Sequence, residues 1–184
     1  MDKFVYNAPT EWTPKEHFPD LSKEKLISID LETCDTQLTT HGSGWATGNG
    51  YVTGIAVATA DWEGYYPIAH NGGNLDKTKV LDWFRGVAGL GCDKVFHNAS
   101  YDLGWLRNLG ITVNGKIHDT MISSALLDEN RYSYTLNSLA KDKLGRTKNE
   151  DLLIAAAKEF GVDPKKEMYK LPSMHVGEYA EYDA

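Results

Sequence analysis

Cysteine is nearly missing from this chain of 184 residues; Cys34 and Cys92 are the two it has. Two thiols are too few for a disulfide framework or a structural zinc site. Long apolar runs are missing as well, and none approaches the roughly 20 residues that span a bilayer. Met1-Asp2-Lys3-Phe4 lacks the basic and apolar blocks of a secretion signal. The expectation is a soluble, cytoplasmic protein in a reducing compartment, with no membrane partner. Basic residues are not in excess either. The net charge is −7, from 19 Lys and Arg against 26 Asp and Glu. That argues against a non-specific nucleic-acid binder held by a basic patch. No internal repeat or low-complexity tract is visible. What remains, 41% apolar and 11% aromatic, is the composition of one globular domain with a substantial core.

The informative residues are acidic and fall in three short motifs. Asp30-Leu31-Glu32-Thr33 follows the apolar run Leu26-Ile27-Ser28-Ile29. Asn98-Ala99-Ser100-Tyr101-Asp102 is the second, and Tyr179-Ala180-Glu181-Tyr182-Asp183 the third. On a strand, residues two apart share a face, so Asp30 and Glu32 point the same way. On a helix, residues four apart share a face, so Asn98 pairs with Asp102 and Tyr179 with Asp183. If the fold brings these together, four carboxylates converge. Such a cluster repels itself without cations and suits Mg²⁺. Each residue also has an ordinary reading. Asp30 and Glu32 can end a strand in solvent, and Asp102 can be an exposed helix residue. Asn98 can be an N-cap, and Tyr179 a core aromatic. Asp119 and Thr120 read as caps of the next helix. His97, His118 and His175 read as structural, because Mg²⁺ prefers oxygen.

Residues 1–24 carry Pro9, Pro14 and Pro19 and read as an extended lead-in anchored by Trp12 and Phe18. Strands are predicted over 25–31, 51–59, 64–68, 94–97 and 111–113. Residues 33–50 are predicted to be a loop. Helices are predicted over 76–85, 98–108, 119–127, 136–144, 149–160 and 176–183. Strands come first and alternate with helices later. That order predicts an α/β fold, a mixed five-stranded sheet with helices on both faces. Asp183 falls in the last turn of its helix, where hydrogen bonding is incomplete, so that turn is expected to fray.

The three motifs resemble Exo I, Exo II and the tyrosine form of Exo III in the 3′–5′ exonucleases with Asp-Glu-Asp-Asp metal sites. The resemblance is closest to the proofreading domain of family A, polymerase I-like DNA polymerases, those of bacteriophages in particular. His118-Asp119-Thr120, Leu136-Asn137-Ser138-Leu139-Ala140 and Gly42-Ser43-Gly44-Trp45 add secondary matches. The resemblance covers residues 25–183 and implies a ribonuclease H-like fold, with residues 25–184 as the exonuclease domain and no polymerase half. It implies two divalent ions, Mg²⁺ or Mn²⁺. Asp30 would bridge both, Glu32 would help hold one, and Asp102 would reach the second through water. Asp183 would bind the ion that activates the attacking water, and Tyr179 would orient that water. Asn98 and Thr33 would meet the substrate, and Leu38 and Trp45 the terminal base. The implied substrate is a single-stranded or frayed DNA 3′ end, and the implied partner a DNA polymerase domain or subunit. Two rivals stand beside this: a ribonuclease D-like exonuclease trimming RNA, and a catalytically weak module that binds DNA or a polymerase.

Overall fold

The structure, a computed structural model, describes residues 10–184. Pro9 and the first four residues therefore lie outside the described residues. Five strands form one sheet in the order β3-β2-β1-β4-β5. They are β1 Leu26–Cys34, β2 Tyr51–Ala58, β3 Glu63–Pro67, β4 Asp93–Phe96 and β5 Ile117–Asp119. β1 pairs antiparallel with β2 and parallel with β4, so the sheet is mixed as expected. Among the described residues, no helix is long and apolar enough to cross a membrane.

The central strand sets the site. Its alternation sends Ile27, Ile29 and Leu31 into one core, with Ile55 and Val57 of β2, Phe84, Phe96, Trp105 and Leu106. Each such side chain, fully buried, contributes about 1.5–3 kcal/mol. Helices α3 (Lys77–Gly89) and α4 (Ala99–Asn108) cover that face. Ser28, Asp30 and Glu32 take the opposite face by the same period of two. There a second core gathers Trp12, Ala56, Tyr65, Leu153, Ala157, Leu171, Val176 and Ala180. Its helices are α7 (Asp151–Phe160) and α8 (Gly177–Asp183). Asp30 and Glu32 thus sit where a strand with a one-sided apolar pattern meets a helix-covered polar edge.

Two expectations need correction. Ile111–Val113 is not a strand. Gly110 turns left-handed at φ 67°, and the Ile111 amide donates to the Leu106 carbonyl, closing α4. Ile111 is buried as a core contact without ladder bonds. The fifth strand is instead Ile117–Asp119, paired parallel with β4. The segment 33–50 is not all loop either. β1 runs on to Cys34 past a register shift between Glu32 and Thr33. One-turn helices α1 (Leu38–His41) and α2 (Gly44–Thr47) follow. α5 (Thr120–Leu127) and α6 (Leu136–Leu144) lie close to their predicted spans.

Residues 10–24 of the lead-in are built into the fold. Phe18 stacks on Tyr66 at 5.5 Å between centroids. Trp12 lies on Gly177, where an added Cβ would come within 2.0 Å of the indole. Glu181 of α8 accepts from Trp12 Nε1 at 3.0 Å and from the Tyr65 amide at 3.1 Å. Lys15 lies 3.3 Å from the same carboxylate.

Candidate active site

Three of the four carboxylates converge. Oxygens of Asp30, Glu32 and Asp183 lie within 4.8 Å of one another. Asp30 and Glu32 come from one face of β1, and Asp183 from the last turn of α8. Asp102 enters from α4, 3% exposed, with its carboxyl in the field of Asp30 and in contact with the Leu31 amide. All four donors are oxygen, the ligand type of a hard divalent cation. Asp183 Oδ1 is buried and lies against the Lys148 ammonium.

The electrostatics follow from crowding. Burial, then the Asp183 charge, raises the Asp30 carboxyl to about 7, against partial relief from Lys148. Burial and the Asp30 charge raise Asp102 to about 8. Burial, then Asp30 and Asp183, holds Glu32 well above the usual carboxylate range. Asp183 is also raised by burial, although Lys148 opposes it. Carboxyls raised in the folded state hold protons that the unfolded chain releases, so stability falls as pH rises towards their folded values. With ions chelated, stability should increase by on the order of 1 kcal/mol per unit as pH falls from about 8.5 to about 7. Thermal melts in EDTA read this directly. Saturating Mg²⁺ should flatten the profile, because ligation keeps carboxylates deprotonated. Equal slopes with and without ion would contradict this account.

Tyr179 shares a face of α8 with Asp183. Burial, then Glu32 and Asp183, pushes its phenol far above the ordinary value, so it stays protonated and can donate a hydrogen bond. Asn98 stands at the N-cap position of α4 but does not cap it with its side chain. It is left-handed at φ 67°, a conformation Asn tolerates better than most residues. Its Oδ1 accepts from Ser100 Oγ at 3.2 Å. Thr33 Oγ1 and the Tyr101 hydroxyl lie 2.9 Å apart. Leu38 is 42% exposed and lines a hollow with Thr33, Asp35 and Tyr101. Trp45 lies flat on α4, where a Cβ on Gly104 would come within 2.3 Å of it.

Lys148, Tyr65 and Asp35 escape the sequence reading, whereas Asp119 caps the next helix as that reading expects. Lys148, in the segment between α6 and α7, forms an ion pair with Asp183. Its Nζ stands 4.6 Å from the Tyr179 ring centroid. Its only sequence signal is general: buried carboxylates need a counter-charge. Asp119 caps α5 through the Met121 and Ile122 amides, and also accepts from the Asn98 and Ala99 amides, which fixes the start of α4. Tyr65 is fully buried, with its hydroxyl 2.5 Å from His70 Nε2. Asp35 accepts from the Tyr101 hydroxyl at 3.0 Å and from the Gly44 amide at 2.9 Å. His97 contacts Thr120 and His118 contacts Asp93, at 2.9 and 2.8 Å.

Asp183 closes α8 with its side chain 9% exposed and held by Lys148.

The family model described as 3′–5′ exonuclease matches residues 7–184. A DNA-directed DNA polymerase of Pseudomonas phage M6 is 40% identical over 177 residues, 90% of this chain and 27% of that protein. The chain spans about a quarter of the length of the first curated relatives it matches. Among solved structures, Brucella melitensis NrnC with bound Mg²⁺ is similar at a TM-score of 0.52 and 17% identity, covering 76% of this chain and 62% of that one. Escherichia coli RNase D, an exoribonuclease involved in structured RNA processing, is similar at 0.53 and 16%, over 72% and 31%. These two likenesses establish the fold, which is of the ribonuclease H type. Matched over nearly its whole length, and with phage and bacterial DNA polymerases as its relatives, the chain belongs to the 3′–5′ exonuclease family.

Proposed function

We propose that this chain is a metal-dependent exonuclease that shortens single-stranded or frayed DNA from the 3′ end and releases nucleoside 5′-monophosphates. The observation that carries this is the convergence of Asp30, Glu32 and Asp183 within 4.8 Å, with Asp102 beside Asp30. These four residues would hold two ions, Mg²⁺ or Mn²⁺. Bound there, the ions supply a nucleophilic water and charge relief at the departing 3′ oxygen. The chain's own groups do the rest. The Tyr179 hydroxyl, kept protonated, orients the water. Asn98 and Thr33 position the terminal nucleotide, and Leu38 gives its base an apolar contact. Trp45 packs on Gly104 of α4. Residues 25–184 form the nuclease unit, and residues 10–24 strap its outer face.

DNA is favoured over RNA because the sequence relatives are DNA polymerases, whereas the RNase D likeness concerns fold alone. The proposed setting is proofreading for an associated polymerase. The test is digestion of internally labelled DNA, linear and circular, beside an RNA of matched sequence, all with Mn²⁺. Linear DNA should shorten stepwise from its 3′ end, while the circle stays intact. Circle cleavage at the linear rate would make this an endonuclease. Faster loss of RNA would favour the RNA-trimming reading.

A further inference from the structure

Lys148 is placed against the ligands rather than merely near them. It donates a hydrogen bond to Asp183 Oδ2 and also contacts Oδ1. Its Nζ is 3.4 Å from the Tyr179 hydroxyl. Both side chains of the ion pair are 9% exposed. The ammonium therefore engages the same carboxylate that converges with Asp30 and Glu32. A divalent ion needs those oxygens in its own coordination shell and brings twice the charge. An ammonium and a divalent ion at van der Waals range of one carboxylate also repel each other. Lysine can withdraw: its stem is flexible, and its residue lies in a segment without regular structure, before α7.

We infer that Lys148 is a resident counter-ion of the site, which a divalent cation must displace from Asp183 in order to bind. Lys148 thereby sets the ion concentration at which the nuclease arms itself. Ion binding frees the segment around residue 148, while the Tyr179 ring keeps a nearby station for the ammonium. This rests on the reading of Asp30, Glu32 and Asp183 as cation ligands.

The test is a thermal-shift titration of chelator-stripped protein with Mn²⁺. Lys148→Met should move the midpoint to about tenfold lower Mn²⁺, a typical linkage between coupled sites. Lys148→Arg should keep the midpoint near that of the unaltered protein. A midpoint in Lys148→Met that is unchanged or higher overturns the inference. In that case Lys148 is a structural prop of Asp183. A second measurement needs no variant. Lys148 should resist acetylation by acetic anhydride in EDTA and become reactive in saturating Mn²⁺, read by peptide mass spectrometry. Protection retained in Mn²⁺ overturns the inference even if Lys148→Met does not fold. The control is Asp30→Asn. If Mn²⁺ shifts the unaltered protein but not Asp30→Asn, a flat Lys148 result defeats the counter-ion alone. If Mn²⁺ shifts nothing, the ligand reading falls, and the counter-ion with it.

Discussion

Asp30→Ala should lower nuclease turnover by about a thousandfold or more. Charge stabilisation by bound ions is worth several kcal/mol at the transition state, and each 1.36 kcal/mol is about tenfold in rate. Asp30 converges with Glu32 and Asp183, and its charge also acts on Asp102, so its loss removes the carboxylate that acts on all three others. The same substitution should erase stabilisation by Mn²⁺, which at about a hundred times its dissociation constant amounts to about 2.7 kcal/mol. In EDTA, by contrast, the variant should melt no lower than the unaltered protein, because it removes a crowded, desolvated carboxyl. Melting curves in EDTA and in Mn²⁺, beside digestion of a 3′-labelled strand, separate these effects. Turnover surviving in EDTA or in Asp30→Ala would sink the metal-dependent reading.

Gly54→Ala should destabilise the fold by about 3 kcal/mol, at the upper end for overpacking a dense core. Gly54 pairs with Glu32 across the sheet. An added Cβ there would stand 2.0 Å from the Tyr65 hydroxyl and 2.2 Å from its Cζ. Tyr65 has no free space and is tied to His70 at 2.5 Å. The ring can move only by breaking that buried hydrogen bond or by shifting β2 away from β1. Urea unfolding should show a lower midpoint with an unchanged slope. Because Glu32 is the cross-strand neighbour, ion binding should weaken as well. A variant with normal stability would mean that Tyr65 has a second rotamer this packing does not reveal.

Much of the site was legible because its signals are local. A period of two along β1 separates Ile27, Ile29 and Leu31 from Asp30 and Glu32 whatever the rest of the chain does. A spacing of four does the same for Tyr179 and Asp183. The order of strands and helices carried the sheet. The misses arise where distant contacts decide. Ile111 is apolar enough for a strand, but the left-handed turn at Gly110 sends it back under α4. α1 and α2 are four residues each, too short for any period to appear. Lys148 is one lysine in a polar segment, and only the folded position of Asp183, 35 residues away, gives it meaning. The Thr33–Tyr101–Asp35 network joins β1 to α4 across 66 to 68 positions. Trp45 reads as a contact for the terminal base, and only the folded position of Gly104 shows its indole packed on α4.

Glu181 ties Trp12 to α8 across 169 positions of sequence and Tyr65 across 116. Contacts so distant form late, since the loops they close cost entropy before any contact is gained. During synthesis, Asp30, Glu32 and Asp102 are therefore in place well before α8 can dock. Asp183 and Tyr179 arrive together on α8, which Glu181 ties to Trp12 and Tyr65 and Lys148 holds at Asp183. In a nascent chain the acidic cluster is thus incomplete until α8 seats, and the docking of that helix is the step that closes it.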